Sequence, residues 1–335
     1  MKFYKVIHNP QLVSTSENNV MLMCDDTRKV TEVWLEPIDE RIYIKHFLYH
    51  AKEVCDTKPN ERLEDYFFTT APSYKNLSDN FYLIEPISQV PGNYYPRIYR
   101  PIFQRSDHSM NGVSFLSTNE ITTGPFFMTE YFPCNEKTLI RSVQQLNTLI
   151  DRLKSIFINI YPTSNNYEAF GHEIRNLLIL SCTEVEAQLK GILIENNISS
   201  NNNSYTTRDY VKLISVLGLD KYSIRFPYYP EINPVNLFKD WDSASPTQSL
   251  FWYNNYNAVK HNNENEFHKA TLNCIINAVS GICVLLIAQY GANMPYWGEL
   301  VGGFFEIVES PTWAFDDCYL PPFKNNSWTP QNITI

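Results

Sequence analysis

Between residues 135 and 160, apolar side chains recur in strict 4,3 alternation at Leu139, Val143, Leu146, Ile150, Leu153, Phe157 and Ile160. That spacing predicts one helix, Asn135 to Ile160, with a heptad-like buried seam. The stretch PTSNN, Pro162 to Asn166, ends it. A second long helix is predicted from Tyr167 to Glu195, with Ile174, Leu178, Val185, Leu189 and Ile192 or Leu193 as its buried stripe. The connection is short, so the two helices should pack antiparallel. After the polar loop Asn196 to Ser204, Thr206 or Thr207 can cap a short helix from Arg208 to Leu217. Three prolines and several aromatics from Tyr222 to Pro234 predict a long irregular crossing, pinned to the surface by its tyrosines. Leu250 to Val259 reads as the next helix and Glu264 to Tyr290 as the last of the bundle.

That last helix carries the strongest pattern. Asn263 can cap it, and Glu266 stands where a capping box puts its acid. Phe267, Thr271, Cys274, Ala278, Ile282 and Leu285 recur at helical spacing, and Ile275, Ile276, Val279, Cys283 and Leu286 make the opposite side apolar too. A helix apolar on most of its circumference is buried, in a bundle core or at a subunit contact. The excess over what one core needs predicts a homodimer through the bundle. Lys260 and His261 then fall in a polar turn just before a buried helix start, where free N–H groups and the macrodipole favour a phosphate or carboxylate.

The texture changes at Pro133. Residues 1–132 are mixed and aromatic-rich. Val30 to Leu35, Phe81 to Ile84, Gly112 to Ser117 and Phe126 to Phe132 read as strands, and Arg41 to Val54 as a short helix. Pro96 and Pro101 give Tyr94 to Arg105 an edge or loop path. The predicted fold class is α+β: an N-terminal mixed α/β domain over 1–132, an antiparallel helical bundle over 133–290, and an irregular extension over 291–335. The extension holds five acids (Glu299, Glu306, Glu309, Asp316 and Asp317) against Lys324. It should wrap over the bundle or return to the N-terminal domain.

Composition narrows the function classes. Hydrophobic residues make up 44% and charged residues 19%, which is globular rather than disordered. A net charge of -9 speaks against a broad electrostatic grip on nucleic acid, so any RNA contact must be local or shared between subunits. The seven cysteines form no CxxC pair, and Cys182, Cys274 and Cys283 sit on apolar helical faces, as reduced thiols in a cytoplasmic protein. The start lacks a signal-peptide core. Ala270 to Ala288 approaches a membrane span, but Asn273, Asn277 and Ser280 interrupt it and favour a buried core helix, with no membrane partner. His46 and His50 have a zinc-compatible i, i+4 spacing near Glu53 and Cys55, but there is no HExxH and no clear further ligand, so no metal is expected. With 11 glycines and no phosphate-cradling loop, no cofactor is expected either.

The order of helices, the text YNAVKHNN from Tyr256 to Asn263 and the helix HEIRNLLILSCTEVEAQLKGIL from His172 to Leu193 resemble the HEPN domain of bacterial defence and toxin proteins. The resemblance covers about residues 165–290. It implies a dimeric, metal-independent ribonuclease with an antitoxin or other defence-system partner. The family signature is an Arg, four to six residues, then a His, often with a polar residue after the Arg. Here the His is His261 and the polar residue Asn257, while the place of the Arg falls on Tyr256 or Asn255. An Arg would clamp a phosphate bidentately, and neither replacement brings a charge. Lys260 can supply one as a point charge, and Arg175, on one face of the His172 helix with Cys182 and Glu186, is a candidate replacement in space or else an ordinary ion-pair partner.

The candidate site is thus His261, Asn257 and Lys260. An imidazole suits both proton transfers of RNA cleavage because its ordinary pKa is ~6.5. Against this, His261 can be a plain turn residue, and Asn257 can serve a backbone group at a helix end. Two readings stand: an RNA endonuclease in a toxin or phage-defence setting, or a catalytically degenerate binding or assembly module.

Overall fold

Asn135 opens the helical part of the protein by accepting a hydrogen bond from Thr138 N on its side chain, at 3.1 Å. In the computed structural model, the described residues are 2–8, 19–24, 30–35, 82–86, 89–90, 92–100, 114–116, 121–122, 133–200, 204–292, 297, 303–313, 317–319 and 327–335. They fall into two units: 1–91, 101–130 and 314–321 in one, and 92–100, 131–313 and 322–335 in the other.

The strands are β1 (Lys2–His8), β2 (Asn19–Cys24), β3 (Val30–Leu35), β4 (Tyr82–Pro86), β5 (Asn93–Tyr94), β6 (Ser114–Leu116), β7 (Ile121–Thr122), β8 (Ser223–Arg225), β9 (Glu306–Glu309) and β10 (Thr329–Pro330). In the first unit six of them form one antiparallel sheet in the order β4-β1-β2-β3-β6-β7. β3 keeps the bounds expected from its β-branched residues, whereas the pattern reading did not identify β1 and β2. The expected helix Arg41 to Val54, with His46, His50, Glu53 and Cys55, and the expected strand Phe126 to Phe132 lie outside the described residues.

The second unit is mainly helical, with a few short strands. Its helices are α1 (Glu136–Asn159), α2 (His172–Glu195), α3 (Thr207–Tyr210), α4 (Leu213–Leu217), α5 (Phe251–His261), α6 (Asn263–Glu266) and α7 (Leu272–Tyr290). The 4,3 seam of α1 is buried from Leu139 through Phe157, and the whole expected stripe of α2 is buried. Helix α7 packs chiefly on α2 and also touches α5 and α1. All its residues except Asn273 are buried. By length and a mean hydropathy of 1.9 it could cross a membrane, and 94% of that window is buried inside the protein.

The apolar circumference expected to exceed one core is therefore covered within one chain. Much of the cover comes from segments whose sequence looked irregular. Phe226, Ile232, Leu237 and Phe238 join the core, so the crossing after Tyr222 is a core element and not a surface strap. Trp297, Phe304, Phe305 and Ile307 of the tail join it too. β8 pairs antiparallel with β9, and β10 pairs parallel with β5.

The last helix also starts later than expected. Asn263–Glu266 makes a single turn, a 3-10 turn follows at Phe267–Lys269, and the long helix begins at Leu272. Thr271 wins as its cap: it is extended, at φ -102° and ψ 164°, and its hydroxyl accepts from Cys274 N at 3.4 Å. Leu272 N donates to Ala169 O at 2.8 Å and Asn273 N to Tyr167 O at 3.1 Å, while Ile275 N donates to Thr271 O at 3.2 Å. The N–H groups of Leu272, Asn273 and Cys274, which a helix start leaves without intrahelical partners, are thereby taken, and Ile275 makes the first bond of the helix itself. The single helix expected over Arg208 to Leu217 is likewise two short ones.

This assignment is testable by capping. Thr271→Ala should lower unfolding stability by about 1 kcal/mol, the usual worth of an N-cap side chain, while Asn263→Ala should cost less than half of that. Urea unfolding followed by helical circular dichroism measures both, and the reverse order of effects would return the helix start to Asn263.

Candidate functional site

Helix α5 is built by its aromatics. Trp252, Tyr253, Tyr256 and Val259 face the core, and Trp252 and Tyr256 are fully buried. That phase leaves Lys260 and His261 exposed in the last turn of α5. Both therefore sit at the C-terminal end of a helix, the negative end of its macrodipole, where the Lys260 ammonium is electrostatically favoured. The sequence had put them before the start of the long buried helix, as a ready anion site. That start lies at Leu272, and its N–H groups are occupied as described above.

The three expected site residues are on one helix, but only partly free. Lys260 Nζ donates to the Tyr256 hydroxyl at 2.9 Å and lies 5.0 Å from the centre of that ring. This hydrogen bond raises the Lys260 pKa above its ordinary value. Burial raises the Tyr256 phenol, with the Lys260 bond opposing. Asn257 Nδ2 donates to Tyr253 O at 3.3 Å, one turn back in its own helix, which is the backbone-satisfying role rather than a bond to His261. Asn255, the other place for the family Arg, donates to Cys274 Sγ at 3.3 Å. Tyr256 fills the core, so no Arg could stand there without burying its charge.

Helix α2 supplies the remaining chemistry. Glu186 accepts from the Tyr253 hydroxyl at 2.6 Å, tying α2 to α5. Cys182 is fully buried and its thiol is pushed well up by burial. Arg175 Nε donates to Asn263 Oδ1 at 2.5 Å, and Nη1 reaches Asn176 Oδ1 at 3.4 Å. Asn263 is two residues beyond His261, so a guanidinium from α2 comes to the end of α5 that carries the exposed histidine. His172 packs against Phe267 with ring centres 4.9 Å apart, and Phe170 with the same ring at 6.0 Å. The sequence showed Arg175 on a shared face with Cys182 and Glu186. It gave no sign of Asn263 as the partner, because that contact spans 88 positions. Among the described residues no three His, Cys, Asp or Glu side chains group as a metal ion would need.

No protein-family model, curated protein or solved structure matches the chain.

Two predictions follow from the packing of α5. Tyr256→Arg, the change that would write the family motif into the chain, should unfold the bundle or cost about 3–5 kcal/mol, because it leaves an uncompensated charge in a core beside Lys260; Tyr256→Phe should cost about 1 kcal/mol for one hydrogen bond. Chemical denaturation distinguishes them, and a stable Tyr256→Arg protein would refute the buried placement. The second concerns pH. Burial raises Tyr210 to about 12 and, together with the Glu186 bond, raises Tyr253 further. These phenols and the Lys260 ammonium all have folded values above their unfolded ones, near ~10 and ~10.4. The unfolded chain loses these protons first, so their contribution is full below about pH 10 and falls as pH rises toward the folded values. The buried Cys182 thiol, raised as well, joins them from an unfolded value of ~8.5, so the thermal midpoint should begin to fall above about pH 8.5 and fall faster above about pH 10, less steeply there in Tyr253→Phe. A midpoint that holds steady through pH 11 would contradict this.

Proposed function

We propose that the helical unit is a HEPN-like bundle acting as a metal-independent RNA endonuclease in a cytoplasmic toxin or phage-defence setting. The observation that carries this is the Arg175–Asn263 contact, which brings a guanidinium to the end of α5 where His261 is exposed. An arginine supplied by α2 stands in for the one missing from the linear motif. In the proposed reaction an imidazole removes the 2′-OH proton, the 2′-oxygen bonds to phosphorus, and the bond to the 5′-oxygen breaks as that oxygen takes up a proton. The products are a 2′,3′-cyclic phosphate and a 5′-hydroxyl. His261 suits the proton transfers, and two copies in a homodimer would divide them. Arg175 would hold the phosphate by charge and by paired N–H groups. Lys260 keeps donors beyond the one on Tyr256 and adds a point charge. Because α7 is covered within the chain, a two-fold would form at the exposed end of α5. An antitoxin or another defence component belongs to the same proposal, with the α+β region over 1–132 as the part that senses or restrains the bundle.

A second reading has its own observations. Tyr256 is buried where the motif wants Arg, and Asn257 is spent on a backbone carbonyl. These favour a degenerate HEPN-like module that binds or assembles without cutting.

The test uses the full chain on single-stranded RNA in EDTA. Wild type should release fragments ending in cyclic phosphate, and His261→Ala should lose ~10²–10⁴ in rate while keeping its circular dichroism. Arg175→Ala should also lose activity. Lys260→Ala should lose less, with the difference shrinking as salt screens the exposed charge. Light scattering should give twice the chain mass. RNA bound but uncut by wild type, with His261→Ala indistinguishable from it, would hand the case to the second reading.

A further inference from the structure

Phe170 is 52% exposed, yet it is not a loose surface ring. Its backbone forms an antiparallel bridge with Thr271, and the neighbouring Ala169 O accepts from Leu272 N at 2.8 Å, so the start of α7 holds it in place. Its ring meets that of Phe267 at 84°, with centres 6.0 Å apart, and Phe267 also meets the exposed His172 at 4.9 Å. An edge-to-face contact covers one face of a ring at most, so Phe170 keeps a face open to solvent. The same seam carries polar groups further along. The first turn of α2 runs beside the turns from Asn263 to Lys269: Phe267 meets Phe170 and His172, and one turn back Asn263 meets Arg175. His261 stands two residues before Asn263 and is exposed. The order along the seam is an open ring, a guanidinium oriented by a neutral amide, and an imidazole. A base, its phosphate and the bond to be broken follow one another in the same order along a strand.

We infer that Phe170 is a stacking platform for an unpaired base of single-stranded RNA, next to the phosphate that Arg175 holds. The inference rests on the ribonuclease reading and names the form of its substrate: a strand whose bases are free to turn outward, not a duplex. Every base has a π-face, so an aromatic ring gives affinity without reading sequence, and in a duplex those faces are covered by neighbouring bases. The charges around the seam favour this chemistry over a general attraction for anions. Glu168, Glu173 and Glu264 are exposed in the same segments, and Lys269 is paired with Glu266 at 2.6 Å. These residues offer no broad positive field, so affinity for a strand must come from stacking and a single clamp.

The test titrates the full chain carrying His261→Ala, to prevent cutting, with a single-stranded RNA oligomer containing 2-aminopurine, whose fluorescence is quenched on stacking. The same oligomer annealed to its complement is the comparison. The single strand should be quenched and should bind about ten-fold or more tighter than the duplex. Adding Phe170→Ala should remove the quench and weaken single-strand binding about ten-fold, and Phe170→Trp should restore both. Phe251→Ala, which removes a ring of similar exposure at the far end of α5, should change neither. With His261 intact, Phe170→Ala should raise KM and leave kcat within about three-fold. Cleavage by wild type with KM and quench unmoved in Phe170→Ala would overturn the platform and leave the nuclease. Ring-dependent binding without cleavage would leave the platform and remove the nuclease, and no RNA binding at all would remove both. A Phe170→Ala protein that falls from twice the chain mass to the chain mass in light scattering, with RNA binding intact, would assign the ring to a second copy of the chain and overturn the inference.

Discussion

The burial of α7 on every side is the constraint from which the rest of the helical unit follows. A helix with no solvent face must find apolar neighbours all round, and α1, α2 and α5 do not suffice, so the aromatic crossing and the tail complete the cover. Each Leu, Ile or Val fully buried there contributes ~1.5–3 kcal/mol, an upper estimate because an unfolded chain already hides part of its surface. The same burial dictates how the helix ends. Backbone groups there cannot turn to water, so the connection between α1 and α2 accepts from the first N–H groups, and the segment Gly92–Arg100 donates from Tyr99 N to Ala288 O at 3.0 Å. Of the polar residues inside, Asn277 donates to Asn273 O at 2.9 Å and Gln289 lies in the Arg97 network, whereas the Ser280 hydroxyl is buried without a partner among the described residues.

Closing those ends has a consequence for chemistry. Once the N–H groups of α7 are used by Ala169, Tyr167 and Thr271, that helix start offers no cradle for an anion. Any phosphate recognition near His261 must come from side chains, against the negative end of α5 rather than with the positive end of α7. That shifts the weight of the ribonuclease proposal from Lys260 to Arg175, whose charge arrives from a different helix.

Periodicity made much of this unit legible. The 4,3 seam of α1 and the stripe of α2 were readable because burial repeats in phase with the helix, and the start near Asn135 was readable because the seam begins just after it. The start of α7 was misread because two caps competed. Asn263 with Glu266 fits the local rule, but Thr271 is the one whose neighbours can pair with Ala169 and Tyr167, a contact about a hundred positions away in sequence. The Tyr222 to Pro234 crossing was misread because prolines and tyrosines usually mark surfaces, whereas Phe226 is drawn inward onto Phe304 and Phe305 of the tail, a contact that leaves no local pattern. Of the site, the exposure of His261 was legible from its polar surroundings, although it lies in the last turn of α5 and not in a turn beyond Val259. The engagement of Asn257 and the reach of Arg175 to Asn263 were not, since a hydrogen bond leaves no period in a sequence.

Two arginines show what separates a structural charge from an available one. Arg97 donates from Nε to Gln289 Oε1 and from Nη2 to Gln188 Oε1, with the Glu195 carboxylate near Nη1, and it is buried; its charge is spent on seating the segment Gly92–Arg100 on the bundle. Arg175 is half-buried, with one short bond to Asn263 and a second at 3.4 Å to Asn176, both to neutral amides. A guanidinium has five N–H donors, so Arg175 is oriented by its partners without being neutralised by a carboxylate. Orientation by a neutral group and partial exposure are what a phosphate-binding arginine requires, since a bound carboxylate would have to be displaced first. For the ribonuclease proposal, that makes Arg175 on α2, rather than Lys260, the charge on which the proposal rests.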